Sequence, residues 1–347
     1  MTRGARAPGR SASGRRSAGH RSGIVTLLTD FGLDDAYVGM LKGAILAVYT
    51  DARLVDLSHA VPPHDVATGA DLLAYAYPMF PPGTVHLAVV DPGVGTARRG
   101  LLVSADDHYF VGPDNGLLGF CFERPGATAV ALTVVRYHRR PTSRTFHARD
   151  VFGPVAAYCA RGLAPARFGA NVTDPVRLPA RPPRSAGSSL TGRIVRVDRF
   201  GNLLTDLRGD ALPLGRSPWR LTVGSARIVG LSGTYADRPR GALGAVVDSS
   251  GRIEVFVRDG SAQARLGVGP GAPVSVRPSS QTRMTPTRTE TACPMTRSPR
   301  SRTRPSPRRP RWPSSRSPAP RPSSPTRPPS SVLPTGSRSR TSRRPSE

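Results

Sequence analysis

Lysine is nearly missing from this chain: Lys42 is the only one among 50 basic residues in 347 positions. Arginine fills every other basic position, which points to GC-rich coding throughout. Cysteine is also scarce. Cys121, Cys159 and Cys293 leave an odd thiol and form no CxxC pair, which excludes a disulfide framework or a zinc ribbon and fits a reducing cytoplasm. No run approaches the ~20 apolar residues of a membrane span, and the Arg-rich start leads only into the short run Ile24–Leu28, not a secretory core. The seven histidines include no HExxH and no helical i, i+4 pair, so no metal site is expected. Gly93-Val-Gly95 lacks both the GxGxxG spacing and a Lys-Ser/Thr ending, which sets aside a triphosphate loop. Asp30-Phe-Gly32 lacks a His-Arg-Asp partner and carries no kinase weight.

What is present is unevenly distributed. The 37 prolines, 36 glycines and formal charge of +27 exceed what one compact globule usually holds. Residues 1–22 contain six arginines and no acid, and residues 281–347 contain sixteen arginines against two glutamates, so residues 23–280 carry only +7. The expected organisation is a disordered basic extension (1–22), an α/β domain (23–178), a Pro/Gly/Ser-rich linker (179–189), a small β-barrel (190–280) and an Arg/Pro/Ser-rich tail (281–347). The tail has too little apolar surface to fold, or is read out of frame. Clustered arginine could release counterions from nucleic acid, but a solvated tail is the simpler reading, and neither nucleic acid nor membrane is expected as a partner.

Periodicity supports this division. Ile24–Thr29 reads as a strand, and Asp34-Asp35 as a cap for a helix with apolar positions Tyr37, Val38, Leu41, Ile45 and Val48. Leu54–Leu57 is a second strand, Asp65–Tyr77 a helix stopped by Pro78, and Val85–Val90 a strand apolar enough for a buried parallel position. A hairpin follows over 101–111, then a short helix over 117–122, a strand over 129–135 and a helix over 151–161 with Asp150 as a possible cap. Such alternation gives an α/β domain with a largely parallel sheet. Beyond 189 the period falls to two, with short strands near 192–197, 203–207, 221–223, 245–247, 253–257 and 274–276, which suggests a barrel or sandwich.

In an open α/β sheet, ligands gather beyond the carboxyl ends of the strands. Asp30 ends the first strand and Asp91 the third, although both lie in good turn formers. Three more polar segments flank element ends: Gly112-Pro-Asp-Asn-Gly-Leu-Leu118, Thr145-Phe-His-Ala-Arg-Asp150 and Asp198-Arg-Phe-Gly-Asn202. Together with Leu28-Thr-Asp-Phe-Gly32 and Val90-Asp-Pro-Gly-Val-Gly-Thr96 followed by Arg98, these motifs occur in an order that resembles the S-adenosylmethionine hydroxide adenosyltransferase family. These are the adenosine-forming S-adenosylmethionine hydrolases, related to fluorinating and chlorinating enzymes.

The resemblance covers about 23–278. It implies an α/β domain followed by a β-barrel, and a homotrimer with active sites between one subunit's first domain and its neighbour's second. S-adenosylmethionine is the implied substrate and no cofactor is needed. Asp91, Arg98 and His147 would form the water-activating group, with either His147 or Asp91 as base. Asp30 would hold the ribose hydroxyls, Phe146 and Phe200 would sandwich the adenine or ribose, and Asn202 would bond the adenine edge. Asp198, Ser249 and Glu254 match the methionine end. Arg258 departs from the common Asn, which restricts contact there to backbone, and Ala148 replaces the usual Gly. A halogenase would carry Tyr in place of Asp91. A non-catalytic binding protein is the alternative of a different class.

Overall fold

A computed structural model describes residues 21–179, 182–212 and 218–279. The Arg-rich extension and tail lie outside these residues, except Arg21 and Ser22. Arg21 stacks its guanidinium 3.6 Å from the Tyr109 ring centre and donates to the Cys159 carbonyl, so the packed chain begins slightly before residue 23.

The first half is built on a six-stranded sheet: β1 (Ile24–Thr29), β2 (Arg53–Ser58), β3 (Val85–Val89), β4 (Gly100–Ala105), β5 (His108–Pro113) and β6 (Thr128–Ala131), in the order β2-β1-β3-β5-β4-β6. β2, β1, β3 and β5 run parallel, while β4 is antiparallel to β5 and β6. Helices α1 (Tyr37–Leu46), α2 (Val66–Ala76) and α3 (Gly153–Ala160) cover this sheet. Strand β3 is buried at every position because both faces are covered. One apolar cluster joins Leu41 and Ile45 of α1 to Val155 and Ala156 of α3. The other places Leu73 of α2 with Ala88, Val90 and Phe110. Parallel strands therefore bring the ends of β1 and β3 side by side, and with them Asp30 and Asp91.

The second half is antiparallel: β7 (Arg184–Ala186), β8 (Ser189–Val197), β9 (Leu203–Arg208), β10 (Trp219–Val223), β11 (Ala226–Val229), β12 (Leu243–Val247), β13 (Arg252–Val257) and β14 (Pro273–Pro278), with helix α4 (Ala262–Leu266). Its order is β11-β10-β14-β8-β9-β13-β12, with β7 beside β8. A bridge from Ser232 to Val246 brings the two edges together, so the sheet is a nearly closed barrel around Ile194, Leu203, Val255 and Val274. Two polar ties join the halves. Asp71 of α2 receives Arg196 of β8 and Arg252 of β13, and the hydroxyls of Tyr75 and Ser249 lie 3.0 Å apart.

Four expectations need correction. Asp34-Asp35 does not cap α1: Ala36 occupies that position and no side chain bonds the free amides. The strand expected over 129–135 stops at Ala131, and a 3-10 turn takes up 135–137. Asp150 is not a helix cap but lies inside a π-type turn, Ala148–Phe152, that precedes α3. Inside the Pro/Gly/Ser-rich 179–189 segment, β7 pairs with β8 across a Gly187 turn.

Candidate active site

The loop after β3 folds back on itself. Val94 N–H bonds the Asp91 carbonyl at 3.2 Å, Thr96 donates both its amide and hydroxyl to the Gly93 carbonyl, and Arg98 N–H reaches the Thr96 hydroxyl. Residues seven apart thus meet. Arg98 grips Asp91 with two hydrogen bonds, Nε to Oδ1 at 2.9 Å and Nη2 to Oδ2, and the same Nη2 lies 2.9 Å from His147 Nδ1. The Asp91 and Arg98 side chains are only 5% and 11% exposed, so this charge-assisted pair is poorly screened. Gly95 makes the fold-back possible: its φ is +80°, and a Cβ there would come 2.6 Å from the Arg144 carbonyl oxygen.

His147 comes from the segment before the π-type turn, a distortion often found at functional sites. Asp150, fully buried, secures that segment. Its carboxylate accepts Arg149 Nε and Nη2 and the Ser143 amide. Burial first, and the Arg98 charge next, hold His147 below the ordinary imidazole range, leaving the ring neutral at pH 7.

Asp30, Asp91, Phe146, His147 and Ala148 line one cleft of about 570 Å³, together with Phe31, Tyr37, His64 and Arg149. Asp30 Oδ2 accepts the His64 amide at 2.9 Å. Phe146 meets Tyr37 edge to face at 5.3 Å, and the Arg149 guanidinium sits 5.0 Å from its ring. The Gly112–Leu118 motif is not in this cleft. Asp114 is buried against Arg99 and the Val176 amide, while Asn115 bonds the Val90 carbonyl and so braces the strand end that carries Asp91.

The remaining expected residues lie in the barrel. A cavity of about 700 Å³ is lined by Asp198, Phe200, Asn202, Tyr235 and the 257–260 turn. Another of about 610 Å³ adds Ser249, Glu254, Arg196 and Tyr75. Neither shares a lining residue with the first cleft. Phe200 is 77% exposed, whereas Asn202 is buried. Asp198 accepts from the Phe200 amide, the Asn202 amide and Asn202 Nδ2, which shapes its own loop and fixes the Asn202 amide. Glu254 is buried and accepts the Tyr235 hydroxyl at 2.8 Å, and burial pushes its carboxyl up. Arg258 donates to the Ala236 and Arg238 carbonyls, so its side chain braces the neighbouring turn.

Tyr235 was missed by motif reading, yet it borders both barrel cavities. The available signal was Thr234-Tyr-Ala-Asp237, which has capping-box spacing and forms that box here. Tyr75 and His64 also border the cavities without belonging to a recognisable motif, and Arg149 lies in the 145–150 motif without having been singled out.

An α/β domain with a carboxylate–guanidinium–imidazole group at a strand end, joined to an antiparallel barrel with its own polar cavities, defines a narrow class of two-domain proteins. Residues 25–169 match the SAM hydroxide adenosyltransferase N-terminal domain, and residues 192–275 the C-terminal domain of the same name. The chain belongs to the SAM hydroxide adenosyltransferase family.

It is 42% identical over 252 residues to the (R)-S-adenosyl-L-methionine hydrolase of Salinispora tropica, covering 71% of this chain and 95% of that one. With the protein of the same name from Thermus thermophilus it shares 40% over 258 residues, 72% and 98% of the two chains. A fluorinase from Nocardia brasiliensis is more distant, 26% over 261 residues, covering 65% and 86%. An uncharacterized conserved protein from Thermotoga maritima, solved by crystallography, superposes with a TM-score of 0.70 at 32% identity, covering 73% and 99%.

Proposed function

We propose that this chain hydrolyses S-adenosyl-L-methionine to adenosine and L-methionine. Water attacks C5′ in line with the sulfonium; the new C5′–O bond forms as the C5′–S bond breaks, and its electron pair leaves on the methionine thioether. The sulfonium supplies the leaving group, so alignment and partial desolvation of water are the main demands on the protein. The observation that carries the reading is the Asp91–Arg98–His147 group, in which Asp91 and His147 line the cleft and Arg98 braces both from behind.

The hydrogen bonds favour Asp91 as the base. A guanidinium can only donate, so His147 Nδ1 must accept from Arg98 and the ring proton belongs on Nε2. Each Asp91 oxygen accepts one bond from Arg98 and retains a lone pair for water. The proton from water passes to Asp91, while Arg98 steadies the developing hydroxide and His147 Nε2–H orients the water. The Asp91 carboxylate also repels halide, which argues against the fluorinase reaction.

Within the cleft, Asp30 accepts the ribose hydroxyls and Phe146 packs against the nucleoside. Phe200 and Asn202 supply the adenine contacts, and Asp198, Ser249 and Glu254 the methionine contacts. These two sets line separate cavities of one chain, which supports a site shared between subunits, with the cleft of one facing the barrel of the next as in the homotrimer that the resemblance implies. A cytoplasmic setting fits the two free, buried cysteines, Cys121 and Cys159.

The test is turnover in water enriched in ¹⁸O. Adenosine carrying the heavy oxygen supports the reading. Unlabelled adenosine, a 5′-halo-5′-deoxyadenosine formed with added halide, or binding with no product rejects it.

A further inference from the structure

The only lysine in the chain begins a line of side chains that the reaction does not use. Lys42 Nζ on α1 meets Asp56 Oδ2 on β2 at 2.6 Å. Asp56 Oδ1 lies 3.1 Å from His59 Nε2, and His59 Nδ1 lies 2.8 Å from the Thr29 hydroxyl. His59 and Thr29 are buried. Burial opposes the Asp56 charge, but the contacts with Lys42 and His59 outweigh it and hold the carboxyl below its usual range.

Proton accounting fixes the direction of the line. The Asp56 carboxylate facing His59 Nε2 can only accept, so a neutral ring carries its proton there and takes the Thr29 hydroxyl proton at Nδ1, while Thr29 Oγ1 also accepts the Phe31 amide at 3.3 Å. The contact between Nε2 and Asp56, 3.1 Å long, falls short of good hydrogen-bond geometry and joins the ring dipole to the carboxylate. Meanwhile the His59 carbonyl accepts the Gly32 amide at 2.8 Å. Asp30 stands between Thr29 and Phe31, the two residues gripped in this way. Its own carboxylate accepts the amide of His64, a residue with φ of +67° in the same loop as His59. Such strain persists where the surroundings impose it. A buried imidazole–hydroxyl pair adds little net stability over packed apolar groups, so its value lies in the geometry it enforces.

We infer that His59 is a positioning residue that, through Thr29, splints the Asp30 loop and so sets the preference of the site for ribose over deoxyribose. This rests on the proposed role of Asp30 as acceptor for the sugar hydroxyls.

The experiment measures adenosine and 2′-deoxyadenosine binding to the full chain by calorimetry, with Asp30→Asn, Thr29→Val and His59→Phe variants whose melting curves are recorded alongside. Wild type should prefer adenosine by about tenfold or more, and Asp30→Asn should abolish the preference. Thr29→Val and His59→Phe should reduce it by about three- to tenfold while unfolding cooperatively. If His59→Phe does not fold, Thr29→Val, which keeps the branched shape, decides. A collapsed preference in Asp30→Asn with wild-type preference in Thr29→Val overturns the splint alone. An unchanged preference in Asp30→Asn, or none in wild type, overturns the ribose role of Asp30 and the splint with it.

Discussion

Arg98 Nη2 lies 2.9 Å from His147 Nδ1 while the same guanidinium clasps Asp91 through both carboxylate oxygens. One cation thereby sets the orientation of the carboxylate and the tautomer of the imidazole.

Asp91→Asn keeps the shape of the side chain but removes the base. It should lower kcat by about 10²- to 10⁴-fold with little change in KM, measured as adenosine release. Equal loss of affinity and turnover would assign Asp91 to binding instead. Arg98→Lys cannot hold both partners and should lower kcat by at least about tenfold.

The pH profile has a defined sign. His147 is held below the usual imidazole range by burial and by Arg98, so its neutral form extends to lower pH than for a free histidine. Accordingly kcat/KM should stay level from pH 8 to about 6.5 and fall only at lower pH, as the Nδ1 acceptor becomes protonated. A fall that begins above the ordinary histidine range would contradict the assigned tautomer.

Fold stability should also weaken in acid, for a separate reason. Thr26, His86 and His108 form a buried chain, with Thr26 Oγ1 2.8 Å from His86 Nδ1 and His86 Nε2 3.1 Å from His108 Nδ1. Burial, and then His108, push His86 down to about 3. The unfolded chain therefore binds a proton that the folded chain refuses between about pH 6.5 and 3. Stability is complete above that window and falls within it by up to ~1.4 kcal/mol per pH unit. Urea midpoints at pH 7 and 5 should show the loss, and His86→Phe should flatten it.

If the cleft of one subunit meets the barrel of another, two inactive variants should rescue each other. Asp91→Asn spoils only the first half-site and Asn202→Ala only the second. Random reassembly of equal amounts restores both intact halves at about a quarter of sites. Mixed subunits that regain no activity would show that each chain builds its own site.

The strand ends were readable from sequence because burial makes β1 and β3 predominantly apolar, and Asp30 and Asp91 are the charged residues that follow each run. The Arg98 pairing was readable only through family resemblance, since nothing in the composition of 91–98 dictates that the loop folds back. The missed features have tertiary causes. Asp34 and Asp35 resemble a cap but no amide is presented to them. The π-type turn at 148–152 answers to the buried Asp150 rather than to local propensity. β11 is a short edge strand of four residues, specified by its neighbour β10 rather than by alternation of its own. Asp198 reads as a free carboxylate yet uses its oxygens to close its own loop.

Asp71, less than one-sixth exposed, takes Arg196 from one barrel strand and Arg252 from another. Two barrel strands tied to one carboxylate of α2 oppose rotation of the barrel against its own α/β domain. Traffic of nucleoside and amino acid then falls to the short loops at 139–146 and 198–202. A covalent staple between α2 and the barrel should therefore leave turnover intact, whereas stiffening either loop should slow it.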